Sequence, residues 1–204
     1  MISAPPGRVR MDPGTRREQL LALGVRLLST RSLDELSIEM LAEEAGISRG
    51  LLYHYFGNKQ DFHRAVVRKA ADDLIRVTAP VREGEPLERL ATSLDAYVDY
   101  VGANYAGYVS LVRGAASGNP DLMQIYDEAR AALTDRIFDT AGADGVLSAL
   151  ALEDSPEVRL MVRGWSAMAE DVVIAWVRDH RGVSREDLLT MLAAALPGVL
   201  SGTP

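Results

Sequence analysis

The chain has 204 residues, of which 48% are hydrophobic and 25% are charged, as in an ordinary globular protein of one or two domains. It contains no cysteine, which excludes disulfides and thiolate chemistry, and its net charge of −7 argues against indiscriminate binding to nucleic acid. No two of its three histidines have the spacing of metal ligands on a helix, so we expect neither a metal site nor a cofactor.

The N-terminal segment 1–14 has no apolar core of the kind found in secretory signals, and we predict a flexible arm there. No run approaches the roughly 18 apolar residues of a membrane span. We therefore expect a soluble, cytoplasmic protein that does not partner a membrane. Residues 1–85 hold 13 Lys and Arg against 12 Asp and Glu, whereas residues 86–204 hold 9 against 17. The basic charge thus lies toward the N-terminus.

Apolar residues recur at spacings of three and four, which predicts an all-α protein of about nine helices. Ser37, Ser48 and Asn58 are good helix caps, and Gly46 and Gly57 are good helix terminators. The first four helices are therefore predicted at residues 15–30, 38–45, 49–56 and 59–78.

The segment PVREGEP, from Pro80 to Pro86, is a charged joint that breaks helices and favours a change of domain. Beyond it, Asn119-Pro120 and Ser155-Pro156 are explicit helix starts, and the stretch from Gly142 to Asp154 is predicted to be flexible. The remaining helices are predicted at residues 87–101, 108–117, 120–141, 156–180 and 185–197.

The second and third helices, joined by Ala45-Gly46-Ile47-Ser48, predict a helix-turn-helix, in which the second helix of the pair lies in the DNA major groove. Arg49 can grip a guanine edge or a phosphate with two hydrogen bonds, and Gly50 leaves room for close approach. The predicted DNA-binding residues are Ser37, Ser48, Arg49, Gly50, Leu52, Tyr53, His54, Tyr55 and Lys59.

Within this third helix, Leu51 is assigned to the core, whereas Leu52 is predicted to touch a thymine methyl group. The tyrosines would direct polar tips toward the groove while their rings pack on the scaffold. The alternative interpretation of the same pattern is a short packing helix between two longer ones, with no DNA contact.

Residues 15–62 resemble the DNA-binding head of the TetR family of bacterial transcriptional regulators. The resemblance is carried by Ser37, Leu41-Ala42, Ala45-Gly46-Ile47-Ser48, Gly50, Tyr53-His54-Tyr55-Phe56 and Lys59. Ser32 departs from the family pattern, which often has glycine after the first helix. The resemblance implies a homodimer that binds a pseudo-palindromic operator in double-stranded DNA, usually as a repressor released by a small-molecule effector.

On this basis residues 63–204 are predicted to form a helical ligand-binding and dimerisation domain. Its penultimate helix is apolar on more than one face, which favours burial on two sides. The predicted dimer interface consists of Val162, Val173, Trp176, Val177, Leu188, Leu192, Ala195 and Leu196. The alternative is a single buried central helix in a monomer.

A pocket for a mostly hydrophobic effector is predicted among the middle helices, where aromatic and flexible apolar residues gather. Its predicted lining is Tyr97, Val101, Tyr105, Tyr108, Leu111, Met123, Tyr126, Phe138, Trp165 and Met168. The same residues would also describe an ordinary core. Arg113 is predicted either to bind an acidic group or to lie on the surface. The acidic residues Asp95, Asp99, Glu170 and Asp171 are expected to be solvated, with contact between one of them and a cationic ligand as the alternative.

Two other functions compete with DNA binding. A helical enzyme is disfavoured because Gly164-Trp165-Ser166-Ala167-Met168 lacks the closing glycine and preceding strand of a nucleophile elbow, and no catalytic cluster is visible. A helical protein–protein adaptor that does not bind DNA would keep the same fold, and Arg49, Tyr53 and Lys59 argue against it.

Overall fold

The computed structural model describes residues 12–81, 83–139 and 145–201, and its regular elements there are all helices. In chain order they are α1 Pro13–Leu28, α2 Ile38–Ala45, α3 Arg49–Phe56, α4 Lys59–Val77, α5 Pro86–Ala103, α6 Tyr105–Ala116, α7 Pro120–Asp139, α8 Val146–Ala149, α9 Pro156–Arg178 and α10 Arg185–Leu200. The all-α prediction is confirmed. The additional helix, α8, lies in the stretch that was predicted to be flexible.

The helix starts follow from side-chain caps. Ser37 Oγ accepts a hydrogen bond from Met40 N at 3.1 Å, and Asn58 Oδ1 accepts one from Asp61 N at 2.9 Å. Such caps satisfy backbone N–H groups that have no partner inside the helix. Asp12 caps α1 in the same way, so this helix begins at Pro13, inside the predicted arm. The rest of that arm, residues 1–11, lies outside the described residues.

Two helix boundaries differ from the sequence expectation. Only Asn104 separates α5 from α6, so the loose link predicted at residues 102–107 is a single residue. Helix α10 continues through Pro197, whose ring removes one backbone hydrogen bond. The last turn persists because Leu200 is buried, with 1% of its surface exposed.

The buried residues form two apolar clusters. The first cluster contains residues of α1, α2, α3 and α4 and also Ile125 of α7. The second contains residues of α5, α7, α8, α9 and α10. Helix α7 therefore contributes to both clusters. We call α1–α3 the head and α5–α10 the body. The boundary predicted between residues 62 and 63 falls inside α4, which connects the two.

Helix α6 attaches the head to the body at close range. Leu33 N donates to Ser110 Oγ at 3.0 Å. At Gly107 an added Cβ would lie 2.6 Å from Leu28 Cβ and 2.9 Å from the Leu28 carbonyl oxygen, so only glycine fits between α6 and α1. A shift of α6 toward α1 must therefore displace α1.

Within the described residues, none of the helices has the length and apolar character needed to cross a membrane. In the same part of the chain, no group of three or more metal-ligating side chains comes together.

Candidate nucleic-acid interface and ligand cavity

Helix α3 is held from one side and exposed on the other. Leu52 and Phe56 anchor it in the first apolar cluster, with 0% and 5% of their surfaces exposed. Arg17 adds a contact over the Phe56 ring, 5.3 Å from its centroid. The exposed side chains of α3 belong to Arg49, Leu51, Tyr53 and His54. The helix thus presents a projecting surface on a fixed base.

The predicted roles of the two adjacent leucines are reversed. Leu52 is completely buried, so the prediction that it touches a thymine methyl group is wrong. Leu51, which was assigned to the core, is 38% exposed and lies on the projecting side of α3. Leu52 and Phe56 are four residues apart and share one helix face, and this places Leu51 away from the core.

The exposed side chains of α3 can form hydrogen bonds with the phosphates and base edges of a nucleic acid. The Arg49 side chain is 68% exposed, and it forms an ion pair with Glu39 of α2 at 3.8 Å. A surface pair of this kind contributes roughly 0–1 kcal/mol, so the guanidinium can leave it for a phosphate or a base edge. At Gly50 no atom lies within 4 Å of an added Cβ, which leaves the backbone open to close approach. Lys59, the first residue of α4, is also exposed.

Three of the predicted DNA-binding residues have structural contacts of their own. Ser37 and Ser48 cap α2 and α3 through their hydroxyl oxygens, and Ser48 Oγ accepts from Leu51 N at 3.3 Å. Tyr55 is half-buried against the first apolar cluster and meets His54 edge-on, with 5.8 Å between ring centroids. The Tyr55 ring therefore packs against the first apolar cluster, whereas Tyr53 lies on the exposed side of α3.

A histidine of α4 supports the start of α2. His63 is half-buried, and its Nε2 donates to the Leu36 carbonyl oxygen at 2.6 Å, just before the Ser37 cap. Burial lowers the pKa of His63 below its ordinary value of 6.5, and nearby Lys59 lowers it further, against the opposing effects of the Leu36 hydrogen bond and Asp34. The folded protein therefore favours the neutral ring.

The burial of His63 predicts a loss of stability in acid. Because the folded pKa of His63 is below the unfolded one, its contribution is present above pH 6.5 and is lost as pH falls through the window below that value. The melting temperature should fall between about pH 8 and about pH 5, and a His63→Gln variant should show a flatter pH profile. His180→Gln, at an exposed histidine, is the matched control and should keep the wild-type profile. An equally steep profile in His63→Gln would rule out this origin.

A cavity of about 180 Å³ lies between the head and the body. Helices α1, α4, α5, α6, α7, α8 and α9 all contribute to its wall, which is mostly apolar. The predicted lining residues that reach it are Tyr97, Tyr108, Leu111, Tyr126 and Trp165. Half of the predicted lining is therefore brought together at one site.

The other predicted lining residues lie elsewhere. Val101 is completely buried in the second cluster, and Tyr105 packs against that cluster. Phe138 carries Arg159 over its ring at 4.4 Å. Met123 and Met168 are exposed on the surface, 47% and 39%, so their assignment to the pocket is wrong.

One side of the cavity carries a polar network around Glu170 of α9. Its carboxylate accepts hydrogen bonds from Tyr108 Oη at 2.7 Å, from Arg130 at 3.0 Å and from Tyr126. Tyr97 and Tyr108 join their hydroxyls at 2.8 Å. The Glu170 side chain is only 12% exposed, which corrects the expectation that it is solvated. The Arg130 guanidinium supplies its countercharge.

The tyrosine hydroxyls of this network donate their hydrogen bonds in the direction of Glu170. Burial raises the pKa of Tyr97 and Tyr108 well above the ordinary value of 10.0, so both hydroxyls stay protonated. Tyr108 commits its single proton to the carboxylate, so its oxygen accepts from Tyr97. The network is internally satisfied in hydrogen bonds and in charge.

The remaining charged candidates lie away from the cavity. Asp95 and Asp99 of α5 bind Arg185 of α10 at 2.7 and 2.6 Å. Arg113 and Asp171 are exposed, so the surface alternative holds for Arg113. The two aspartates therefore serve the packing of α5 against α10.

Most of the predicted dimer residues face the interior of their own subunit. Side chains with at most 2% of their surface exposed cannot meet a partner, and the prediction is wrong for five of them: Val162, Val173, Leu188, Leu192 and Leu196. Trp176 and Val177 are partly exposed, but Trp176 Nε1 donates to Val183 O at 2.9 Å. Ala195 is partly exposed on α10.

A different set of residues forms the outer face of α9 and α10. We call it the α9–α10 apolar surface, and it consists of Leu160, Met161, Gly164, Ala167, Met168, Met191, Ala194 and Gly198. Leu160 is 68% exposed and Met191 is 51% exposed, which is unusual for residues of this size. At Gly164 and Gly198 no atom lies within 4 Å of an added Cβ, so both helix backbones are open to a neighbour.

Comparison with known proteins agrees with this architecture. Residues 20–66 match the family model of bacterial regulatory proteins of the tetR family, and residues 86–196 match that of the tetracyclin repressor-like C-terminal domain. A crystal structure of a TetR-family transcriptional regulator from Streptomyces coelicolor superposes with a TM-score of 0.78 at 33% identity, over 94% of this chain and 82% of the other.

Two curated relatives are regulators as well. The transcriptional activator FasR of Mycolicibacterium smegmatis is 24% identical over 200 residues, which is 96% of this chain and 87% of FasR. The transcriptional regulator BetI of Brucella canis is 30% identical over 101 residues, 48% of this chain and 50% of BetI. The helix-turn-helix head and the helical body thus both find their counterparts in one group of proteins. The chain belongs to the TetR family of DNA-binding transcriptional regulators and is not an enzyme.

Proposed function

We propose that this protein is a homodimeric repressor that binds a pseudo-palindromic operator and leaves it when a small, mostly hydrophobic effector fills the cavity. The observation that carries the proposal is that the cavity wall includes α1 and α4, the helices that hold the helix-turn-helix. A ligand in the cavity therefore touches the head without touching DNA. The bacterial cytoplasm, where the DNA lies, is the proposed location.

Contacts around the cavity supply a path for coupling. Tyr100, which lines it, donates to the Ala70 carbonyl oxygen of α4 at 2.6 Å. Gly107 and Leu111 of α6 also line it, and Gly107 packs directly on Leu28 of α1. A ligand that favours another position of these helices would favour another position of α3, and its differential affinity sets the response.

The α9–α10 apolar surface supports assembly as a dimer. Paired across a two-fold axis, α9 and α10 of both subunits would form a four-helix interface, with the open glycines allowing close approach. A dimer can place its two α3 helices on half-sites about 34–36 Å apart, which a palindromic operator requires.

Replacement of Met168 with Lys is expected to convert the dimer to monomers, because a charged side chain would be buried in the α9–α10 apolar surface. Size-exclusion chromatography with light scattering measures the mass in solution. Met123→Lys, at a methionine of α7 that is 47% exposed against 39% for Met168, is the matched control and should remain dimeric. A dimeric Met168→Lys protein would place the interface elsewhere.

The proposed function is tested by selecting bound fragments of the source genome with the purified protein. The best fragment is then titrated at two salt concentrations. A palindromic site with steep salt dependence supports phosphate-anchored specific binding. The absence of any enriched site, with and without candidate ligands, would contradict the proposal and restore the adaptor interpretation.

The direction of regulation needs its own measurement. The resemblance implies repression, whereas the relative FasR is named an activator. A reporter gene under the selected operator should be expressed more strongly when the regulator is deleted. Lower expression after deletion would make this protein an activator.

A further inference from the structure

A positive charge without a countercharge lies in the cavity wall. Arg136 of α7 donates to Thr78 Oγ1 at 3.1 Å and to the Ile75 carbonyl oxygen, both of which are neutral groups. In the described part of the chain, no carboxylate forms an ion pair with Arg136. Arg130, the neighbouring arginine of the same wall, has Glu170 as its partner.

Partial burial makes an opposite charge at Arg136 more favourable than it would be on the open surface. Desolvation lowers the pKa of Arg136 below its ordinary value of 12.5, because water is partly removed from the guanidinium. A partly buried charge is stabilised only when an opposite charge or hydrogen-bond acceptors surround it. A guanidinium has five N–H donors, and two serve Thr78 and Ile75. The others can serve a ligand.

Arg136 and the Glu170 network occupy opposite ends of the cavity. Along α7 the wall runs from Tyr126, which binds Glu170, to Arg136, and ten residues of helix span about 15 Å. The wall near Arg136 also includes Thr78, Pro80 and Pro86, at the joint between α4 and α5. The wall between the ends is apolar, formed by Leu74, Leu90, Leu94, Ala129 and Leu133.

The two ends of the cavity differ in the ligand charge that they favour. At the Glu170 end, two hydroxyls and one guanidinium already satisfy the carboxylate, so a cationic ligand would gain little there. At the other end, Arg136 has no carboxylate partner among the described residues. The cavity therefore favours negative charge at the α4–α5 joint.

We infer that the effector is an elongated amphipathic anion: a carboxylate or similar monoanionic group binds Arg136, and an aliphatic body extends along α7 toward Tyr126. This inference names the ligand class for the proposed function, and its regulatory consequence rests on that function. An anion bound to the remaining N–H donors would pull the guanidinium toward the cavity and weaken its hydrogen bonds to Ile75 O and Thr78 Oγ1. It would thereby loosen the last turn of α4, which leads to the head.

The test uses purified full-length protein without DNA and three probes of equal chain length, namely decanoate, decanol and decylamine. Binding is measured by isothermal titration calorimetry at concentrations where the probes stay monomeric. We expect decanoate to bind about tenfold or more tightly than decanol, since a hydrogen-bonded charge pair is added, and decylamine to bind most weakly.

Arg136→Gln should reduce decanoate binding to the level of decanol, while Arg136→Lys should retain part of the preference. Arg113→Gln, at an exposed arginine, is the matched control and should bind decanoate like the wild type. Thermal unfolding of each variant shows that it is folded. Equal binding of decanoate and decanol to the wild type, tightest binding of decylamine, or an unchanged preference in folded Arg136→Gln would each overturn the inference.

Release of labelled operator is measured separately by fluorescence anisotropy. Decanoate that binds through Arg136 but leaves the operator bound would support the ligand class and contradict the proposed regulation. Release of the operator by decanol as readily as by decanoate would support regulation and overturn the anion. The two failures are therefore distinguishable.

Discussion

The Arg49→Ala protein is expected to bind its operator about tenfold to a hundredfold more weakly than the wild type for each half-site that Arg49 contacts. A bidentate arginine contact to a base contributes about 1–3 kcal/mol, and 1.4 kcal/mol corresponds to a factor of ten. The side chain is 68% exposed and its ion pair with Glu39 is a surface contact, so its loss leaves the fold intact. Fluorescence anisotropy with the selected operator at fixed salt measures the effect.

Arg181→Ala is the matched control, because it removes the same charge from the turn between α9 and α10 and should leave DNA binding unchanged. Tyr53→Ala should weaken binding as Arg49→Ala does, with the dimer intact, because Tyr53 lies on the same exposed side of α3. Wild-type affinity in either α3 variant would show that this helix is not placed in the groove as proposed.

Truncation of Leu52 to alanine is expected to lower the free energy of unfolding by about 2–5 kcal/mol, as for other fully buried leucines. Leu52 has no exposed surface and fastens α3 to the first apolar cluster, so DNA binding should be lost with the fold of the head. Chemical denaturation followed by circular dichroism measures the change.

Leu51→Ala, one residue earlier, is the internal control. This side chain is 38% exposed, and surface substitutions usually change stability by less than about 0.5 kcal/mol. The variant should unfold like the wild type and bind DNA more weakly if Leu51 approaches a base. Strong destabilisation by Leu51→Ala together with a mild effect of Leu52→Ala would return the two leucines to the roles predicted from sequence.

Local signals in the sequence were sufficient for nine of the ten described helices and for the family, but not for α8. Caps such as Ser37, Ser48 and Asn58 act on backbone groups within three residues, so their effect is readable without knowing the rest of the fold. Gly46 ends α2 with a left-handed backbone that glycine adopts easily. The spacing of these signals predicts the all-α class and the helix-turn-helix, and the family comparison confirms both.

Tertiary packing decided which side of each helix is buried in the core and which side is exposed to solvent. Two adjacent leucines, or a helix such as α9 that is apolar on more than one face, fit more than one choice of buried side, and only the neighbouring elements select one. That selection buried Leu52 and Val162 and exposed Leu51. It also brought Glu170 to tyrosines 44 and 62 residues away in sequence, and among the described residues it gave Arg136 only neutral partners in the cavity wall. Charge and burial at such sites depend on contacts between distant residues, and helical periodicity carries no information about them.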